Sequence, residues 1–309
     1  MELGVSLVDP GLSAGRLTEI AARAEQLGYN AAWTNESTAR EAFSTLAGWA
    51  TATSRIRLAT GVLPVYVRSP VAAAMGAATI SAMAGPGRMV LGIGSGHRVA
   101  ARRFFDFDLS SPLDAVSDYL KIVGELRHGR RVTHQGRFFS VEGARLGLLP
   151  SGPVWTVVGA MGPRMLELAV READGVLLNW CSAAHLRSTT EWLRGLDRAA
   201  AFFHIAAYVR VAVSSDPDEA RSALAEELGH YLRLDFYRRH VEKQGLDPED
   251  LRGTAAHLGI AGTADECRAQ LDAYRSVGLD ELVVRPVPVG NNGLGPAVEV
   301  MAPTLEVQP

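Results

Sequence analysis

Two polar turns hold the residue types from which an anion-binding, proton-handling site can be built: Ser95-Gly96-His97 and Gly159-Ala160-Met161-Gly162-Pro163. Each follows an apolar run, Met89–Ile93 and Pro153–Val158. Gly159 and Gly162 allow the backbone close to a ligand, and Pro163 suits the first turn of a helix. The N–H groups of that helix then face the loop, which is a favourable place for phosphate. A third turn, Thr60-Gly61-Val62, ends another apolar run and forms a second wall beside Ser95–His97. Asn35, Glu36, Asn179 and Arg285 close further runs, and Arg40, Arg68, Arg98, Arg102, Arg103 and Arg164 lie near the turns. Arginine is suited to bidentate pairing with phosphate or carboxylate. The plainer reading is that glycines make tight turns, Asn and Glu cap helices, and arginines face solvent. Neither glycine turn fits a dinucleotide fingerprint or a Walker loop. There is no Gly-x-Ser-x-Gly elbow. There is also no His-x-x-x-His pair or His–carboxylate cluster at ligand spacing, so no metal is expected. His128, His134, His230 and His240 sit in polar surroundings and read as surface residues.

These turns need a scaffold that brings strand ends together, and the chain repeats the required unit. Short apolar runs at Glu2–Val8, Asn30–Trp33, Arg55–Gly61, Arg88–Ile93, Pro153–Val158, Gly175–Leu178, His204–Val213 and Glu281–Arg285 alternate with stretches of helical periodicity. Leu17, Ile20, Ala21, Ala24 and Leu27 are one such stripe, closed by Gly28. Thr263-Ala-Asp-Glu266 is a capping box that opens another helix. Eight strand–helix units predict an α/β fold, a (β/α)8 TIM barrel, with the tail after Pro286 supplying the last helix. Such a barrel needs about 250 residues, so 309 leave room for insertions, expected near 98–149 and 228–259. No composition break marks a second domain, and 1–309 reads as a single unit. An open doubly wound sheet is the rival architecture.

Composition excludes several function classes. At 47% hydrophobic and 21% charged, the chain can bury a large core, and a net charge of −3 argues against nucleic-acid or membrane partners. No run reaches the length of a membrane span, and the first ten residues lack signal-peptide order. Cys181 and Cys267 show no redox spacing and read as reduced thiols, consistent with a cytoplasmic protein.

Taken as a set, several motifs resemble the bacterial-luciferase-like family. They are Trp33-Thr-Asn-Glu36, Arg40-Glu-Ala-Phe43, Ile56-Arg-Leu-Ala-Thr-Gly-Val62, Tyr66-Val-Arg-Ser-Pro70, Arg88–His97, Gln135-Gly-Arg-Phe-Phe139 and Met161–Ala169. Within it the chain is most similar to the branch that uses the deazaflavin coenzyme F420, which includes methylenetetrahydromethanopterin reductase. The resemblance implies a barrel holding the coenzyme at its C-terminal mouth, with a non-proline cis peptide at Gly61-Val62. It also implies a phosphate region at Ser95-Gly96-His97 and Gly159–Pro163. Two departures stand out. Leu63-Pro64-Val65-Tyr66 lacks the Asn that the family usually places before Pro-Tyr. Asn35-Glu36 and His97 stand where sugar-phosphate and alcohol dehydrogenases of the family have His and Glu.

The implied chemistry is hydride transfer between the coenzyme's C5 and a small organic substrate. Glu36 is the leading candidate for acid/base work and His97 the second, while Cys181 reads as an apolar rim residue. Coenzyme contacts are expected from Asn35, Thr60, Gly61, Val62, Ser95, Gly96, His97, Gly159–Pro163 and Asn179. Two alternatives stay open: an FMN-dependent luciferase-like monooxygenase, and a catalytically silent ligand-binding barrel. Relatives pair as homodimers through the helices after strands two and three, here Glu41–Thr53 and Pro70–Ala84.

Overall fold

The computed structural model describes residues 1–197 and 202–303. Its strands are β1 (Glu2–Ser6), β2 (Ala31–Thr34), β3 (Arg57–Thr60), β4 (Leu63–Pro64), β5 (Met89–Gly94), β6 (Val132–Gln135), β7 (Ser140–Ala144), β8 (Trp155–Gly159), β9 (Gly175–Leu178), β10 (His204–Val213), β11 (Gly259–Gly262) and β12 (Glu281–Val287). Its helices are α1 (Ala14–Gln26), α2 (Ala42–Ala52), α3 (Pro70–Ala84), α4 (Arg98–Phe105), α5 (Pro112–Arg127), α6 (Pro163–Glu172), α7 (Ala183–Gly195), α8 (Pro217–Leu232), α9 (Asp235–Glu242), α10 (Leu251–Leu258), α11 (Ala264–Arg275) and α12 (Gly295–Val300).

Eight parallel strands close into a barrel in the order β1-β2-β3-β5-β8-β9-β10-β12 and back to β1, which rules out the open sheet. The start of β10 pairs with β9 and completes the ring, whereas its last residues leave β9 and pair with β11. β11 was not anticipated, because four residues of Gly-Ile-Ala-Gly carry little strand signal. Within the segment expected as the 98–149 insertion, α5 packs between α3 and α6 as a barrel helix. The true additions there are α4 and the β6–β7 hairpin. Downstream, α8–α10 cover the 228–259 region, and α12 supplies the closing helix. The tail beyond Pro303 lies outside the described residues. Among the described residues no helix is long and apolar enough to cross a membrane.

Apolar side chains pack in several clusters, two of which build the barrel itself. A large core lies between barrel and helices, and a smaller one fills the barrel axis with Trp33, Ala59, Val90, Val157, Leu177, Ala206, Tyr208 and Val283. At the lower end of that axis sits a charge. Glu281 is 1% exposed, and its carboxylate accepts from Trp33 Nε1 at 2.7 Å, Arg57 at 3.2 Å and His204 Nε2 at 3.1 Å. A Cβ at Gly4 would fall 2.1 Å from Glu281 Oε1, so the first strand has no side chain where the carboxylate lies. A buried carboxylate is tolerated only when paired and hydrogen-bonded, and truncating one member of such a set strands the others. Glu281→Ala is therefore expected to lower unfolding free energy by about 3–5 kcal/mol. Urea denaturation checks this, and a loss below about 1 kcal/mol would show that the cluster relaxes around the gap.

Candidate active site

The C-terminal strand ends open into one cavity of about 410 Å³, within the size range of small-ligand pockets. Of the residues singled out in the sequence, Asn35, Glu36, Gly61, Val62, Ser95, Gly96, His97, Gly159, Ala160, Met161, Asn179 and Arg285 line it. Three of the expected coenzyme contacts do not. Thr60 is fully buried, and its hydroxyl is taken up by the Gly92 backbone, donating to O and accepting from N at 2.8 Å each. Gly162 and Pro163 lie just past the lining, where α6 begins without any side-chain cap. At the neighbouring turn His97 opens α4, again without a side-chain cap. Two helix starts with free backbone N–H groups thus border the cavity.

The glycines do more than the turns require. The Gly61-Val62 peptide is cis, as the resemblance implies. The Val62 side chain lies across β5 and β8, so that a Cβ at Gly94 or Gly159 would come within 2.5 or 3.0 Å of it. Gly159, read in the sequence as room for a ligand, is also room for Val62. Gly96 has φ +66°, and an added Cβ would fall 2.5 Å from the Tyr66 ring, so backbone and packing both demand glycine there.

The two acid/base candidates differ in how free they are. The Glu36 carboxylate accepts from Ala42 N at 3.0 Å and pairs with Arg68 at 3.3 Å. Arg68 is shared with Glu41, the residue that caps α2. The His97 ring lies 6.0 Å from the Tyr237 ring, centroid to centroid, and partial burial lowers its basicity. Among the described residues its ring nitrogens have no hydrogen-bond partner, so a neutral imidazole is available at the mouth. None of Arg40, Arg68, Arg98, Arg102, Arg103 or Arg164 lines the cavity. Cys181 is 2% exposed and packs behind the wall instead of on its rim.

The cations that do face the cavity are Arg210 and Arg285. Arg210 is 1% exposed, its guanidinium lies 4.0 Å over Trp180 and 5.0 Å over Tyr231, and it donates to Asn179 Oδ1. Among the described residues its Nε has no partner, and burial lowers its basicity. Arg285 sits over Tyr208 at 5.8 Å. Tyr208 Oη in turn donates to Gly61 O at 2.9 Å, and burial pushes that phenol up to about 12. Tyr231 shows the effect of the pair. Burial pushes its phenol up, but Arg285 and Arg210 outweigh this and hold it below the ordinary tyrosine value. Tyr208, Arg210, Tyr231 and Tyr237 were all missed in the sequence. The available signal was period-two alternation in β10, where Tyr208 and Arg210 follow Ala206 on the inward face of an otherwise apolar strand.

The profile of the luciferase-like monooxygenase family matches residues 1–281. This chain belongs to that family. It is 33% identical over 271 residues to the 5,10-methylenetetrahydromethanopterin reductase of Archaeoglobus fulgidus, spanning 85% of this chain and 79% of that one. Identity to the reductase of the same name from Methanolobus tindarius is 27% over 323 residues, spanning 94% and 96%. Among solved structures, the coenzyme F420-dependent tetrahydromethanopterin reductase from Methanopyrus kandleri superposes with a TM-score of 0.80 at 20% identity over 98% of each chain. At that identity the likeness speaks for the fold.

In this luciferase-like barrel, removing one of the two cations should release the phenol beside them. Arg285→Gln is expected to raise the Tyr231 pKa, because the phenolate loses the cation with the larger electrostatic effect on it. An ultraviolet titration of the variant against Arg285→Gln/Tyr231→Phe reads the shift. An unchanged Tyr231 titration would mean that Arg210 alone sets it.

Proposed function

We propose that the protein is a coenzyme F420-dependent oxidoreductase that moves a hydride between the coenzyme and a small organic substrate in the cavity at the barrel mouth. The observation that carries this reading is the convergence of the Gly61-Val62, Ser95–His97 and Gly159–Met161 turns on one cavity, in a chain whose relatives include F420-dependent enzymes. The residues present fit such a group. Uncapped amides of α4 and α6 suit its phosphate, and a buried Arg210 Nε lacks a partner. The coenzyme, when bound, supplies a two-electron hydride carrier that resists one-electron chemistry.

The chain's own residues bind, orient and exclude water. The Gly159–Pro163 and Ser95–His97 turns hold the phosphate end through the backbone N–H groups of Met161, Gly162, Ser95 and Gly96, since Ala160 N and His97 N already donate to Leu177 O and Tyr66 Oη. Val62, seated over Gly94 and Gly159, gives the ring a shaped apolar surface. Phe104, Phe105 and Phe236 are exposed at the rim, where a bound ligand would cover them. Arg210 and Arg285 favour a substrate or transition state that carries negative charge. His97 handles the proton, since its ring nitrogens are uncommitted. Glu36, held by Arg68 and the start of α2, positions the loop. In the same reading, two copies pair through α2 and α3.

Titration of the apoprotein with F420 and with FMN tests the assignment. Saturable F420 binding without FMN binding is expected. Preference for FMN would favour the monooxygenase reading, and binding of neither the silent barrel. Gly159→Val presses on Val62 and is expected to weaken F420 binding at least tenfold, about 1.4 kcal/mol. By contrast His97→Gln should leave F420 affinity nearly unchanged and lower turnover by roughly 10²–10⁴-fold. If Glu36→Gln shows that pattern instead, the proton belongs to Glu36.

A further inference from the structure

Behind the Asn179 wall three donor side chains converge outside the cavity lining. Cys181 comes from the turn after β9, His185 from the first turn of α7, and His240 from α9. Their ligand atoms all lie within 4.8 Å of one another. Cys181 Sγ and His240 Nε2 are 3.6 Å apart. Zinc–sulfur and zinc–nitrogen bonds at a tetrahedral angle span roughly the same 3.6 Å. The rings of His185 and His240 meet edge to face at 5.5 Å between centroids. His240, read in the sequence as a surface residue, is 5% exposed, because α9 buries Tyr237, His240 and Val241 on one face.

Hydrogen bonding alone does not account for this trio. His240 Nε2 donates to Trp180 O at 3.0 Å, but Gln244 Nε2 donates to the same carbonyl at 2.9 Å. His240 can therefore exchange that bond for a metal without orphaning the carbonyl. Beyond its 3.6 Å approach to His240 the thiol makes a long contact of 3.4 Å to Asn179 O, and among the described residues the His185 ring has no hydrogen bond. A thiol with two imidazoles is a donor set that zinc favours.

We propose that Cys181, His185 and His240 bind one zinc ion, with a fourth position left to an exogenous ligand. Binding converts the thiol to thiolate, and its proton leaves to solvent. The ion ties α9 to the turn after β9. That wall reaches the cavity directly, since Asn179 Nδ2 donates to Tyr237 Oη at 3.4 Å and accepts from Arg210 through Oδ1.

Metal-stripped full-length protein is titrated with Zn²⁺ by calorimetry and with Co²⁺ by absorbance. One equivalent is expected, with a thiolate-to-cobalt charge-transfer band. Cys181→Ser should abolish the band, and His185→Ala, at a half-buried position, should weaken Zn²⁺ binding at least tenfold with the fold intact by circular dichroism. His128→Ala should change neither. Hydrogen exchange of the α9 amides should slow on Zn²⁺ addition. Absence of saturable binding, unchanged affinity in His185→Ala, or a band that persists in Cys181→Ser would each overturn the site. Unaltered α9 exchange with the ion bound would overturn the clamp.

Discussion

The buried Glu281 carboxylate holds the barrel axis together, and the mouth inherits its geometry. Trp33 donates its indole N–H to Glu281 at 2.7 Å, which fixes the ring in the barrel interior. The Trp33 ring meets Tyr208 edge to face, with centroids 6.4 Å apart. Tyr208 then donates to Gly61 O at 2.9 Å. One chain of contacts thus runs from a charge at the bottom to the backbone of the Gly61-Val62 turn at the top. Each link excludes alternatives: a side chain at Gly4 would strike the carboxylate, and one at Gly61 would strike the Tyr208 hydroxyl at 1.9 Å. Close-packed interiors transmit such constraints because they leave no slack to absorb a shift.

Charge at the mouth is sorted by wall. On the β2–β3 side Glu36 and Glu41 share Arg68, so those charges are spent within the protein. On the β10–β12 side Arg210 and Arg285 face the rings and phenols of Tyr208, Tyr231 and Tyr237, and the Glu227 carboxylate acts on both. A guanidinium tolerates burial on aromatic faces better than an ammonium does. The net result is a cavity lined by two cations on one side although the whole chain carries −3. Global charge therefore says little about what this site attracts.

The barrel was legible in the sequence because each of its units repeats the same apolar period, and β1, β5, β8, β9 and β12 fall within a few residues of the runs that predicted them. The glycine turns were legible too, since a turn advertises itself locally. What escaped notice depends on distant partners. Thr60 looks like a mouth residue until Gly92 is seen to claim its hydroxyl. The glycines of β5 and β8 make room for a valine some 32 and 97 positions away. Arg210 hides in a strand that is apolar almost throughout, and the burial of His240 follows from which face α9 turns inward.

The division of labour between barrel and additions explains why the substrate is harder to read than the coenzyme. The wall proposed for the coenzyme is made from strand ends, where Val62, Gly94 and Gly159 are locked to one another by packing. Tyr231, Phe236 and Tyr237 come instead from α8 and α9, which bury their apolar faces in a second core with Trp180, Leu224, Leu228 and Leu258. That core is separate from the one between the strands and the ring helices. A substitution in α9 can therefore reshape that side of the cavity without disturbing the Glu281–Trp33–Tyr208 axis. Specificity can change on this side while the strand-end geometry stays fixed, which is the arrangement that lets one barrel serve different substrates.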